Sequence, residues 1–129
     1  MKKIILCLIS FFTIFSQNVF AKTFDSCAKA SKLNKPLVVM YSADYCFYCK
    51  KFKPVFFHLS DNLSDKYTFV YYDVMQKHKP SMCSDVDLDG IPTLYIISKS
   101  NKKYLISEKY YTQPQVLKQK LIEYYKNLK

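Results

Sequence analysis

Apolar and polar positions alternate along the chain in patterns that predict strands and amphipathic helices in turn. Residues 37–41, LVVMY, are a short and nearly continuous apolar run, the mark of a strand covered on both faces. From residue 47 to about residue 62 the period becomes helical, with Phe52, Val55, Phe56 and Leu59 on one face and His58 on the polar side. Pro54 within that span predicts a kink. Residues 67–74, YTFVYYDV, are rich in the aromatic and β-branched side chains that suit a pleated surface and predict a second strand. Two further runs, 94–98 and 103–108, flank a polar turn at 99–102 and predict a hairpin.

The flanks complete the pattern. Residues 23–33, TFDSCAKASKL, are helix-compatible and are stopped by Asn34-Lys35-Pro36. Residues 113–128 predict a closing helix, where Thr112 and Gln115 have the spacing of a capping box. Between the second strand and the hairpin lies KHKPSMCSDVDLDG, a polar stretch ending in Gly90, expected to be a helical connection. Strand, helix, strand, helical connection, hairpin and helix make an α/β layered domain. No repeat, low-complexity segment or linker interrupts it.

Residues 1–21 have a different organisation. Lys2 and Lys3 are followed by an apolar core of twelve residues, 4–15, and by Val19-Phe20-Ala21, a small-residue cleavage site. A bilayer-crossing helix needs roughly 20 apolar residues, so a cleaved secretory signal is expected, with cleavage after Ala21. Neither Cys7 nor Cys27 follows the pattern that precedes a lipid-modified cysteine. The remaining span, 22–129, is 108 residues, enough for one compact domain and too short for two.

Charge and cysteine content narrow the chemistry. Twenty cations against ten acids give +10, and losing Lys2 and Lys3 leaves 18 − 10, or +8. Every cation is lysine, and the guanidinium fork that reads phosphates and base edges is absent, so no nucleic-acid partner is expected. The scattered lysines suit a solvated surface, loosely attractive to anionic headgroups. Four cysteines follow residue 21, namely Cys27, Cys46, Cys49 and Cys83. An even number in an exported chain favours disulfides. No metal is expected, because Cys27 and Cys83 are isolated and do not supply a second close pair of zinc ligands.

Cys46 and Cys49 stand in YSADYCFYCK, at the junction of the first strand and the following helix. Taken alone, this C-x-x-C fits half of a zinc site, a structural disulfide or a redox pair. A structural role is disfavoured by the short loop, which constrains the unfolded chain little. Neither His58 nor His78 has a partner signature, and Asp44 reads as a solvated turn residue.

The run VVMYSADYCFYCKKFKP resembles the thioredoxin active-site segment, with a buried strand, C-x-x-C at a helix start and a proline five residues after the second cysteine. Gly90-Ile91-Pro92-Thr93 is similar to the cis-proline loop of that family, Pro92 lying 46 residues after Cys46. The resemblance covers roughly residues 23–129 and is nearest to exported bacterial thioredoxin-like proteins, including the Dsb group. It implies an α/β thioredoxin-like fold with a central mixed sheet flanked by helices. It also implies thiol-disulfide exchange with protein thiols or disulfides, without a cofactor, by a monomer served by a membrane or periplasmic redox partner. Cys46 would be the attacking sulfur and Cys49 the resolving one, with Ile91, Pro92 and Tyr45 contacting the substrate. In such a fold the first helix and the connection before Pro92 share one sheet face, which implies a separate structural disulfide between Cys27 and Cys83.

The departures from that family also carry expectations. Too few residues precede Leu37 for both a first strand and a first helix, so about four strands are expected. Met40 stands where thioredoxins bury an acid beneath the cysteines, Tyr45 replaces a tryptophan, and Phe47-Tyr48 separates the cysteines, so the direction of electron flow is open. A thioredoxin-fold binding module with little turnover is the alternative class.

Overall fold

A computed structural model describes residues 23–128. The predicted leader, residues 1–21, lies outside the described residues, as do Lys22 and Lys129. Four strands, β1 (Leu37–Ser42), β2 (Thr68–Asp73), β3 (Thr93–Ile97) and β4 (Lys103–Ile106), form one sheet in the order β2-β1-β3-β4. Strand β1 pairs parallel with β2 and antiparallel with β3, and β3 pairs antiparallel with β4. All six residues of β1 are buried, because it has a neighbour on each side and a layer on each face. That explains an apolar run without alternation.

The period-two geometry of β1 divides the core in two. Val38 and Met40 face α2 (Phe47–Leu63) and α3 (Pro114–Asn127), packing with Phe52, Phe56, Leu59, Leu117 and Leu121. Leu37, Val39 and Tyr41 face the opposite layer, made by α1 (Cys27–Ser31) and the connection before β3. Burying each large apolar side chain contributes about 1.5–3 kcal/mol, so the face under α2 and α3 carries more of the stabilisation.

The thinner layer departs from the expected pattern. Helix α1 has five residues instead of the eleven anticipated, starting after Ser26, whose hydroxyl accepts the Lys29 N–H at 3.4 Å. Before it, Phe24 bridges to β2 in parallel fashion, donating its N–H to Phe69 O at 2.9 Å and accepting that of Tyr71 at 2.8 Å. The outer edge of β2 has unpaired backbone groups, and satisfying them outweighs extending a short helix.

The connection between β2 and β3 is not helical, contrary to expectation. Met82, Cys83 and Val86 pack against the sheet without forming a helix, and side chains of the sheet and loop bond to backbone carbonyls along this stretch. Tyr41 Oη donates to Cys83 O at 2.6 Å, Tyr95 Oη donates to Asp87 O at 2.7 Å, and His78 Nε2 lies 2.6 Å from Asp73 O.

Two smaller corrections concern the ends of elements. The expected Thr112–Gln115 capping box does not form; the N-cap is Gln113, without a side-chain hydrogen bond, and Pro114 opens α3. Proline suits the first helical position because its missing N–H has no partner there anyway. Strand β4 ends at Ile106 instead of continuing to 108, and a 3-10 turn, Glu108–Tyr110, follows it. Helix α2 runs as one element through Pro54, which sits on its exposed face, where water can satisfy the carbonyl left without a donor.

Candidate active site

The C-terminal end of β1 delivers the chain into a turn in which Cys46 donates its N–H to Ala43 O at 3.1 Å. Cys46 is the N-cap of α2, with extended backbone angles, and its carbonyl accepts the Lys50 N–H at 3.1 Å. The Cys49 N–H points back to Cys46 Sγ at 3.1 Å. A sulfur at an N-cap thus takes the place usually held by a serine or aspartate oxygen, among backbone donors that have no partner within the helix.

Cys46 and Cys49 are disulfide-bonded, with Cα atoms 5.2 Å apart. The two sulfurs are not equivalent. Cys46 keeps 8% of its surface exposed and Cys49 only 1%, and Cys49 lies one turn deeper in the apolar cluster. Met40, fully buried, belongs to that cluster, so the β1 side chain at this depth offers neither an acid nor a base.

The loop before β3 forms the other half of the site. The Ile91–Pro92 peptide bond is cis, and the Ile91 carbonyl oxygen lies 3.6 Å from Cys46 Sγ. In the disulfide state this is a contact, since the sulfur carries no hydrogen. Thr93 Oγ1 donates to Gly90 O at 2.6 Å and closes the loop across Ile91 and Pro92. An open groove runs beside it, with Tyr48 and Lys51 of α2 on one wall and Gly90, Ile91, Pro92 and Thr93 on another.

The aromatic side chains around the cysteines lie open to water. Tyr45 is 72% exposed, Tyr48 70% and Phe47 61%. Phe47 and Tyr48 meet edge to face at 5.6 Å, and Lys51 Nζ lies 4.7 Å from the centre of the Phe47 ring. Tyr48, between the cysteines, shares the groove with Pro92, whereas Tyr45 lies outside it. Both tyrosines flank the disulfide in sequence and stand exposed beside it, Tyr48 also lining the groove.

On the far face of the sheet Cys27 and Cys83 form a second disulfide, with Cα atoms 6.1 Å apart, and both residues are almost fully buried. Its position behind the sheet separates it from the Cys46–Cys49 bond. Burial holds the Tyr41 phenol, which donates to Cys83 O, well above the usual tyrosine range, and the nearby Tyr72 and Tyr95 phenols add to the effect. Among the described residues no cluster of three or more metal-ligating side chains is present.

One bridging side chain near the site escaped the sequence reading. Tyr111 Oη accepts the Leu94 N–H at 2.8 Å and donates to Ile106 O at 3.2 Å, while its ring stacks on Phe52 at 4.9 Å. Burial pushes this phenol up to about 12, against the opposing pull of the donated amide. Tyr111, next to Tyr110 in a polar stretch, has no periodicity that would single it out.

The Thioredoxin family profile matches residues 16–125, and the chain belongs to that family. Its four-stranded mixed sheet flanked by helices is the thioredoxin fold. Among curated relatives, a mitochondrial thioredoxin domain-containing protein of Schizosaccharomyces pombe is 27% identical over 89 residues, covering 69% of this chain and 24% of that protein. Protein disulfide-isomerase 1 of Dictyostelium discoideum is 36% identical over 70 residues, covering 52% of this chain and 19% of its own length. The chain therefore spans about a quarter or less of the curated relatives it matches. A mutant thioredoxin from Halobacterium salinarum superposes with a TM-score of 0.58 at 21% identity, over 75% of this chain and 80% of that one, a likeness in fold alone.

Proposed function

We propose that the protein is an exported thiol-disulfide oxidoreductase that exchanges disulfides with protein substrates through Cys46 and Cys49. The observation that carries this reading is the placement of one sulfur, Cys46 Sγ, between the N–H of Cys49 and the carbonyl of Ile91. In the reducing direction, backbone donors stabilise a Cys46 thiolate, which attacks a substrate disulfide, forming a mixed disulfide and releasing one substrate thiolate. The Cys49 thiolate then attacks Cys46 Sγ, releases the second substrate thiolate and restores the Cys46–Cys49 bond. Two electrons pass from the dithiol to the substrate, and the same steps reversed oxidise a substrate dithiol. A dithiol or disulfide redox partner, in a membrane or a periplasmic compartment, resets the pair.

Ile91 and Pro92 place backbone beside the sulfur, to which a substrate peptide adds as a strand would. Two features support export: the three-part pattern of residues 1–21, and a buried second disulfide of the kind that persists in oxidising compartments. On this reading residues 22–129 are the working domain and act as a monomer. Reduction of insulin by the dithiol form and reactivation of scrambled ribonuclease test the proposal. Activity in either supports it, and inertness in both, with a reducible Cys46–Cys49 bond, identifies a binding module instead.

A further inference from the structure

The site has two halves that the chain joins only through long detours. The cysteines ride on α2, while the docking backbone of Ile91 and Pro92 belongs to the segment that enters β3. For a peptide to dock on Ile91 and reach Cys46 at once, the loop must stand at a fixed distance from the cysteine helix, so their separation bears on how tightly substrate binds. Tyr111 touches both halves. Its ring stacks on Phe52, three residues after Cys49 on α2. Its hydroxyl takes the N–H of Leu94, two residues after Pro92.

The hydroxyl is also inserted into the sheet. Leu94 and Ile106 are register partners at the end of the β3–β4 ladder, and Tyr111 Oη bridges Leu94 N to Ile106 O. A hydroxyl can serve there because it donates and accepts at once. Phe52 is 4% exposed, so the ring rests on a buried neighbour instead of a mobile surface group.

We infer that Tyr111 is a positioning residue, a strut that sets the distance between the cysteine helix and the Ile91-Pro92 docking loop. The inference rests on the oxidoreductase reading. Tyr111→Phe keeps the ring and removes the bridge, so it separates docking geometry from cysteine chemistry. With insulin as substrate, we expect KM to rise about three- to tenfold, the scale of one hydrogen bond, while kcat stays within about twofold. The rate at which iodoacetamide labels reduced Cys46 stays within about twofold of the parent. Phe52→Leu, which removes the stacking partner, should shift KM the same way, and it supplies the reading if Tyr111→Phe does not fold. An unchanged KM in whichever variant folds, or a parallel fall in kcat and labelling rate, overturns the strut. Loss of fold in both variants also overturns it, because Tyr111 and Phe52 would then be supports of the core. An inactive parent protein would instead overturn the oxidoreductase reading itself.

Discussion

The backbone N–H of Cys49 points at the sulfur of Cys46 across 3.1 Å, so the helix that carries one cysteine donates to the other. On the proposed exchange, this relationship and the unequal burial of the two residues give them different tasks. Once the disulfide is reduced, iodoacetamide at mildly acidic pH should label Cys46 well before Cys49. Peptide mapping of the first-labelled site checks this, and earlier labelling of Cys49 would reverse the roles.

Cys49→Ser should accumulate mixed disulfides between Cys46 and partner proteins, because attack proceeds and release does not. Cys46→Ser should abolish both trapping and turnover. Non-reducing electrophoresis followed by mass spectrometry of the adducts reads both outcomes.

The Cys27–Cys83 bond closes a long loop behind the sheet, with a sequence separation of 56. Replacing both cysteines with alanine should lower stability by about 4 kcal/mol, the chain-entropy scale for a loop of that length. Urea unfolding measures the loss. Insulin reduction under stabilising conditions should persist, since the bond lies across the sheet from Cys46.

Two buried phenols predict alkaline unfolding. Tyr41 and Tyr67 have folded-state pKa values raised mainly by burial, and Tyr67 Oη also donates to Leu121 O at 2.7 Å. Their contribution is fully present below the unfolded value near 10 and is lost as pH rises toward the folded values. The unfolded chain has released these protons while the native one still holds them. Stability should therefore fall by about 1.4 kcal/mol per pH unit for each tyrosine above pH ~10. Urea midpoints recorded from neutral to alkaline pH check the slope, which Tyr67→Phe should reduce by one tyrosine's share.

The parts that organise the site were legible in the sequence because they obey strong local rules. The continuous run at 37–41 could be buried only as a central strand, and the helical stripe of Phe52, Phe56 and Leu59 could face only a core. The connection holding Cys83 was not legible. Its fold is fixed by Tyr95, eight residues from Asp87, and by Tyr41 and a disulfide, whose partners lie 42 and 56 residues away in sequence. Phe24 escaped for a similar reason, since an edge needing backbone bonds leaves no trace in the residue that supplies them. Thr112 and Gln115 had the spacing of a capping box, yet Pro114 set the helix start.

The central claim is that Cys46 and Cys49 form a reversible two-electron pair in the folded protein, distinct from Cys27 and Cys83. Equilibrating the protein against graded ratios of reduced to oxidised glutathione, then alkylating and mapping the free thiols, tests it most directly. One two-electron transition is expected, in which Cys46 and Cys49 appear together as free thiols while Cys27 and Cys83 remain bonded. A Cys46–Cys49 bond that resists glutathione and strong dithiols in the folded state, or a Cys27–Cys83 bond that opens first, would contradict it.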